Sequence, residues 1–301
     1  MTQADDATLS TTSPASPSGL IGAASDGAPA PVIVIRPSRG WVPINLRELW
    51  LYRELLYFLT WRDLKVRYKQ TALGALWAVI QPVLSMAAFS VFFGRLAKVP
   101  SDGIPYPLFA LSGLLPWQLF AYALTQSSNS VVANKNLVTK VYFPRLIVPL
   151  AAVLSGLVDF MIAFGVLFVM FVLYGFAPRP ALAILPFAIM LTIISALAVG
   201  LWLSALNVRY RDVQYTIPFL AQFWMFVTPI AYSTTLIPER FRVLYGLNPM
   251  AGVVECFRWA LFGNRNVSLA MIGLSSVVMV AAFLGGLAYF RRVEKTFADL
   301  A

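Results

Sequence analysis

The short stretch NVRYRDVQ holds three charged side chains between two long apolar runs. Arg209, Arg211 and Asp212 lie between a run that ends at Leu206 and one that begins at Tyr215. An arginine guanidinium is planar and always charged, so it can bind a carboxylate or a phosphate through two parallel hydrogen bonds. Positive charge also holds a loop on the cytoplasmic face of a membrane. The stretch is therefore either a docking surface or a topological anchor.

The composition favours a lipid bilayer as the solvent of this chain. Of its 301 residues, 59% are hydrophobic and 12% are charged, and the mean hydropathy is +0.74. Soluble domains carry about 25% charged residues. The net charge is +10, but the basic residues occupy gaps between apolar runs. That placement indicates membrane orientation and argues against nucleic-acid binding.

Six apolar stretches reach, or nearly reach, the roughly 20 residues needed to cross a bilayer. They are 73–96, 107–126, 146–174, 181–206, 215–235 and 268–290. The sequence therefore predicts an all-α membrane protein with six transmembrane helices per protomer. The predicted boundaries are a disordered cytoplasmic tail at 1–40, an amphipathic interface helix at 41–72, the six-helix domain at 73–290 and a cytoplasmic C-terminus at 291–301.

The distribution of basic residues predicts that both termini are cytoplasmic. With the N-terminus inside, sixteen Lys and Arg residues fall in the inner segments and seven in the outer ones. Lys and Arg concentrate in cytoplasmic loops. The same orientation places NVRYRDVQ in an inner loop.

Two segments beside the predicted spans have helical patterns that do not suit a membrane-spanning helix. Before the first span, Trp50, Tyr57 and Trp61 recur at helical steps among basic residues. This pattern predicts an amphipathic helix in contact with membrane lipids. Between the fifth and sixth spans, 238–262 contains two short helical patterns broken by GLNP. These predict interfacial or re-entrant helices on the outer side, because a 14-residue helix is only about 21 Å long.

Signatures of catalysis and metal binding are absent from the sequence. It has no histidine, a single cysteine (Cys256) and no G-x-x-x-x-G-K-[ST] phosphate loop. No catalytic residue, metal site or cofactor is therefore predicted in this chain. Asp159 is the one carboxylate inside a predicted span. It is either hydrogen-bonded in a helix contact or has a role in substrate binding or coupling.

Polar and aromatic side chains recur along one face of the predicted first and fifth spans. Aromatic rings suit the apolar face of a sugar and amides suit its hydroxyl groups, so these residues are candidates for a sugar channel. A helix–helix contact held by glutamine would give the same pattern. The candidate residues are Trp77, Gln81, Ser85, Tyr215, Gln222, Met225 and Tyr232.

Four blocks of sequence together resemble a known family. They are WRDLKVRYKQTALGALWAVIQP, NLVTKVYFPRLIVPL, NVRYRDVQYTIPFLAQFWMFVTPIAYS and LNPMAGVVECFRWALFG. In this order they resemble the membrane subunit of ABC-2 type polysaccharide exporters, which include the O-antigen, capsule and teichoic-acid permeases. The resemblance covers about residues 41–295.

The resemblance implies a permease that exports a lipid-linked, O-antigen-like polysaccharide across the bacterial cytoplasmic (inner) membrane. It implies a homodimer that docks on two copies of a cytoplasmic ABC ATPase, and ATP and Mg would bind to that partner. An ABC-2 exporter of lipids or drugs is the nearest alternative. A lipid-modifying membrane enzyme and a secondary transporter are more distant alternatives, because the chain lacks histidine and has one intramembrane carboxylate.

The resemblance also implies roles for particular residues. Coupling to the ATPase would fall to Asn134, Lys135, Lys140, Tyr142, Phe143, Arg145, Arg209, Arg211 and Asp212. An outer gate would include Glu239, Arg242, Asn248, Glu255 and Arg258.

Overall fold

The computed structural model describes residues 46–69, 74–176, 180–263 and 267–294. All of them belong to the compact unit Val42–Ala301, and every regular element among them is helical. The tail predicted at 1–40 lies outside the described residues, as does most of the predicted C-terminus.

Eleven α-helices follow one another in the described part of the chain. They are α1 Leu46–Leu51, α2 Arg53–Tyr68, α3 Trp77–Phe89, α4 Tyr106–Ala133, α5 Lys135–Lys140, α6 Ile147–Leu173, α7 Leu185–Arg209, α8 Val213–Val227, α9 Glu239–Tyr245, α10 Pro249–Phe262 and α11 Leu269–Glu294. A π-helix, Ser90–Leu96, extends α3. Short 3₁₀ turns occur at Gly74–Leu76, Pro180–Ile184 and Thr234–Leu236.

Five of the helical segments are long and apolar enough to cross a membrane. They are Trp77–Leu96, Tyr106–Ala133, Ile147–Leu173, Ala181–Arg209 and Leu269–Glu294. They correspond to five of the six predicted spans and make the chain a multi-pass membrane protein. The second span was predicted too short, because α4 continues past residue 126 to Ala133.

The fifth predicted stretch forms a shorter helix than expected. α8 has 15 residues and is therefore about 22 Å long, whereas the hydrocarbon core of a bilayer is about 30 Å thick. The helix ends at Val227 because Thr228, which precedes Pro229, has an extended backbone. The prediction of one helical stripe from Tyr215 to Tyr232 is therefore wrong at its end, since Tyr232 follows the helix.

The longest helix, α4, occupies the centre of the bundle. It packs against α3, α6, α7, α8 and α10, and most of its side chains are buried. α10 is also enclosed, by α4, α7 and α11. It therefore lies inside the bundle rather than flat on its surface.

One end of the bundle collects the segments that were predicted to be cytoplasmic. A buried apolar cluster there joins α2, α5 and the loop before α6 to the ends of α4, α7 and α11. We call this the basic end, because it carries the exposed basic residues Lys135, Lys140, Arg209 and Arg211. The predicted interface helix is present as α1 and α2, and α2 packs along α6.

Helices α7 and α11 approach each other closely at Gly286. A Cβ atom at this position would lie 2.7 Å from Cδ1 of Trp202 and 2.8 Å from the carbonyl oxygen of Ala198. The Trp202 indole is held in place, since its Nε1 donates to the carbonyl of Ala282 at 3.0 Å. Its ring also stacks on Tyr289, with 5.0 Å between ring centroids. Only glycine fits at position 286 without moving a helix.

We expect Gly286→Ala to destabilise the bundle by about 1–3 kcal/mol, the usual cost of overpacking a core. The matched control is Gly273→Ala on the same helix, where an added Cβ meets no atom within 4 Å. Thermal unfolding midpoints of the two variants in detergent would measure the difference. Equal midpoints would show that α7 and α11 do not touch as described.

Candidate functional site

Two cavities with mixed polar and apolar linings lie between α2 and the helices behind it. The Trp77 cavity has a volume of about 320 Å³ and is lined by residues of α2, α3, α4 and α6, including Trp77, Gln81 and Gln118. The Asn129 cavity has a volume of about 440 Å³ and lies nearer the basic end. Its lining includes the polar residues Arg62, Asp63, Gln126, Asn129, Ser130 and Asn134.

A polar cluster joins α2 to α6 where the two cavities meet. Arg67 forms an ion pair with Asp159, and the Tyr68 hydroxyl donates to the same carboxylate. Arg67 Nη2 also donates to Ser155 Oγ at 3.3 Å, and Ser155 shares a 3.1 Å hydrogen bond with the Tyr122 hydroxyl. The guanidinium carbon lies 4.2 Å from the centre of the Tyr122 ring, which adds a cation–π attraction. Arg67 and Tyr122 line both cavities.

The polar cluster shows which residues bind the carboxylate of Asp159. The structure confirms the interpretation that Asp159 is hydrogen-bonded to a neighbouring helix, although the partner is α2 and not another span. Burial, together with the hydrogen bond to Asp159, raises the pKa of Tyr68 to about 12, so the phenol keeps its proton and donates it. The sequence analysis missed Arg67 and Tyr68 because they lie 92 and 91 positions away along the chain.

The helix of α8 is interrupted over residues 228–233, where the polypeptide is continuous but not helical and which we call the chain break. A buried arginine binds three of its backbone carbonyls. Arg258 of α10 donates from Nη1 to the carbonyl of Pro229 and from Nη2 to that of Ile230, both at 2.8 Å. Nη1 also reaches the carbonyl of Tyr232 at 3.3 Å. Its guanidinium carbon lies 3.7 Å from the centre of the Phe109 ring. Buried backbone carbonyls need hydrogen-bond partners, and Arg258 supplies them for Pro229 and Ile230.

Asn248 and Glu255 complete the support of the chain break. Trp224 Nε1 donates to Asn248 Oδ1 at 2.9 Å, and Asn248 Nδ2 donates to Thr228 Oγ1 at 3.2 Å. Thr234 Oγ1 donates to Glu255 Oε2 at 3.0 Å. Three of the five residues assigned to an outer gate therefore meet at one place. The other two, Glu239 and Arg242, lie on α9, and Glu239 is exposed.

Asp102 is a further partner of this region that the sequence analysis did not single out. Its carboxylate accepts hydrogen bonds from Ser233 and from Thr235 Oγ1, the latter at 3.0 Å. Its backbone has a left-handed φ of 53°, which is uncommon for a residue other than glycine. No local pattern reveals it, because it lies in a loop more than 130 positions from its partners.

Comparison with known proteins identifies the family. Residues 54–262 match the model of the ABC-2 type transporter family. The chain belongs to this family. It is 31% identical over 248 residues to the O-antigen export system permease protein RfbA of Klebsiella pneumoniae, covering 82% of this chain and 95% of that protein.

Two other relatives align over a similar part of this ABC-2 chain. The protein of the same name from Myxococcus xanthus is 28% identical over 257 residues, covering 84% of this chain and 98% of that protein. The polysialic acid transport protein KpsM of Escherichia coli is 23% identical over 240 residues, covering 78% of this chain and 91% of that protein.

The residues predicted to line a channel fall into two groups in the ABC-2 bundle. Trp77 and Gln81 line the Trp77 cavity, and Ser85 is half-buried on the same helix. Tyr215 and Gln222 are exposed on α8, Met225 packs against the core and Tyr232 hydrogen-bonds to Tyr245. α3 packs on α4 and α6, whereas α8 packs on α4 and α7. The fold therefore places the two groups on different sides of α4 within one protomer.

The residues predicted to couple to an ATPase all lie at the basic end. Lys135, Lys140 and Tyr142 are exposed, Asn134 is half-buried and Phe143 is buried in the apolar cluster. Arg145 is fixed to the end of α11, where its backbone N–H donates to Glu294 Oε1 at 3.2 Å and its guanidinium donates to the Glu294 carbonyl. Arg209, Arg211 and Asp212 are exposed between α7 and α8.

We expect Arg258→Gln to destabilise the protein by about 3–5 kcal/mol, as is usual when one partner of a buried ionic network is removed. The variant leaves the carbonyls of the chain break and the Glu255 carboxylate without their cation. Arg240→Gln is the control, because Arg240 is exposed on α9. Thermal unfolding followed by tryptophan fluorescence would separate the two. Similar midpoints for both variants would contradict the assigned role.

Proposed function

We propose that this chain is the membrane-spanning subunit of an ABC transporter that exports a lipid-linked, O-antigen-like polysaccharide. The observation that carries the proposal is the alignment with the Klebsiella pneumoniae O-antigen export permease, at 31% identity and over 95% of that protein's length. The ABC-2 family match also supports it, since residues 54–262 include the chain break and the residues that line the two cavities.

The protein would cross the bacterial cytoplasmic membrane six times, with both termini in the cytoplasm. α8 and the chain break together would make the crossing that α8 is too short to make alone. The basic end would face the cytoplasm, because Lys and Arg concentrate on that side. In this orientation the chain break and α10 would lie toward the outer surface and would form the outer gate.

Energy for export would come from a separate ATPase that binds ATP and Mg. Two permease chains would form a homodimer and bind two ATPase subunits. The exposed side chains of Lys135, Lys140, Tyr142, Arg209 and Arg211 support a docking role, since they present charge and aromatic surface at one end of the bundle.

The channel for the polymer would run along α8. An unsatisfied hydroxyl costs about 4–8 kcal/mol in a medium that cannot hydrogen-bond, so a sugar chain needs a polar and aromatic lining. The exposed face of α8 carries Tyr215, Phe219, Gln222, Phe223 and Phe226. In a homodimer this face of one protomer would lie opposite the face of α3 that carries Trp77 in the other.

Deleting the gene for this chain should remove the surface polysaccharide of the organism that encodes it and leave the polymer inside the cell. Surface polysaccharide would be measured on intact cells and total polymer on lysed cells, with a plasmid-borne copy as the control for restoration. A deletion strain with normal surface polysaccharide would overturn the proposed function, even if it lost another exported lipid or drug.

Replacing Arg209 and Arg211 together by lysine should weaken binding of the ATPase subunit and lower export. Lysine keeps the positive charge that orients a loop but loses the planar guanidinium that binds carboxylates bidentately. Co-purification with the ATPase would measure docking, and Arg240→Lys on α9 would serve as the matched control. If the double variant binds its ATPase and exports normally, the two arginines are topological anchors.

A further inference from the structure

A tight turn precedes α4 at the end of the bundle opposite the basic end. In residues 101–104, SDGI, the Ile104 N–H donates to the Ser101 carbonyl at 2.9 Å, and Ser101 Oγ donates to the Ile104 carbonyl at 2.6 Å. The two central residues, Asp102 and Gly103, have positive φ angles of 53° and 77°. This pattern is typical of a type I′ turn, for which Asp-Gly is a favoured pair. The segment, which we call the Asp102 turn, is therefore closed by its own hydrogen bonds.

The Asp102 turn holds the end of the chain break through one carboxylate. Asp102 accepts hydrogen bonds from Ser233 Oγ and from Thr235 Oγ1, the latter at 3.0 Å. Ser233 Oγ in turn accepts from the Thr235 N–H at 3.2 Å and so caps the 3₁₀ turn Thr234–Leu236. The carboxylate therefore binds both the cap and the first turn of the segment that leads into α9.

The chain break is held from two sides that differ in their exposure to water. On the α10 side, Arg258 and Glu255 are buried, so a broken hydrogen bond there would leave a polar group unsatisfied. On the other side, Asp102 is exposed, and water can take the place of its hydroxyl partners. The contact with α10 is therefore fixed, whereas the contact with the Asp102 turn can open and close at low cost.

The backbone on the two sides of the Asp102 turn differs in regularity. On the α4 side, the Tyr106 hydroxyl donates to the carbonyl of Ala231 at 2.7 Å, which ties α4 to the chain break. On the α3 side lie the π-helix Ser90–Leu96 and the exposed Lys98, which has a left-handed φ of 51°. Stretches of π-helix are frequent at functional sites. The turn can therefore move on its α3 side while α4 stays joined to the chain break.

We propose that the Asp102 turn is a latch on the outer gate, in which Asp102 is a positioning residue. At rest, Asp102 holds Ser233 and Thr235, and it releases them when polymer passes. This rests on the proposed function, and it adds to the gate a residue from the loop between the first two spans. Release frees the 3₁₀ turn that leads into α9, while Arg258 keeps the rest of the chain break on α10.

Bridging the latch shut tests whether it must open during export. Asp102→Cys and Thr235→Cys would be combined in a Cys256→Ser background, in cells that contain the complete transporter. A short bis-methanethiosulfonate reagent would join the two thiols. We expect export of newly made polymer to fall several-fold relative to the same variant before bridging, and to recover when a reducing agent cleaves the bridge.

The matched control for bridging is Ser101→Cys combined with Ile104→Cys. The same reagent joins these two positions within the Asp102 turn and leaves the turn free of the 3₁₀ segment, so export should be unchanged. Normal export with positions 102 and 235 bridged would overturn the latch. Failure of the reagent to join 102 to 235 would also overturn it, because the two side chains would then not be in contact.

A second readout separates the carboxylate from the backbone that carries it. Asp102→Gly keeps the left-handed backbone and removes the carboxylate, whereas Gly103→Ala keeps the carboxylate and strains a residue of positive φ, with no atom within 4 Å of the added Cβ. In cells that make no polymer, we expect Asp102→Gly to raise uptake of a small hydrophilic solute several-fold per folded transporter, and Gly103→Ala to leave it unchanged. Asp102→Asn, which tolerates the left-handed backbone and keeps one carbonyl oxygen, should restore most of the closure. Unchanged uptake in Asp102→Gly would make this a structural contact only and would overturn the latch.

The deletion strain separates this inference from the proposed function. If deletion removes the surface polysaccharide and the bridged transporter exports normally, the latch is wrong and the exporter assignment stands. If the deletion strain keeps its surface polysaccharide, the exporter assignment fails, and the latch fails with it.

Discussion

The packing of the bundle depends first on the hydrogen bonds that the backbone carbonyl groups of the chain break accept. A helix satisfies most of its own backbone groups, whereas buried irregular backbone needs partners from elsewhere in the protein. Here the partner is Arg258, which donates to the carbonyls of Pro229 and Ile230 and lies over the Phe109 ring. Because Arg258 is on α10, this short helix must enter the bundle. The enclosure of α10 therefore accompanies this interaction, whereas α8 ends at the Thr228–Pro229 step.

A half-buried ion pair holds together the other side of the bundle. Asp159 lies in the middle of α6, where an unpaired carboxylate would be costly, and its cation comes from Arg67 at the end of α2. The pair ties α2 to a transmembrane helix, and Arg67 lines the cavities on both sides of it. A helix that the sequence suggested would lie in the headgroup plane is therefore joined directly to the bundle core.

The family assignment and the geometry support one another. The ABC-2 match covers residues 54–262, which begin in α2 and end with α10. Both arginine-centred interactions fall within that range.

The sequence by itself determined the parts that depend on local chemistry. Runs of apolar residues predicted the five helices that are long enough to cross a membrane. The GLNP motif and the helical pattern around it predicted α9 and α10. Four blocks of sequence indicated the family. Tertiary structure alone decided which distant residues meet. The partners of Asp159 and Arg258 lie roughly 30 to 90 positions away along the chain, and no periodicity records such a contact. The end of α8 at Val227 follows from local chemistry, since Thr228 precedes a proline, but tertiary structure decided that Asn248 and Arg258 bind the segment that follows. Hydrophobicity determines that a segment enters the membrane, whereas the pairing of its polar groups determines how it is folded there.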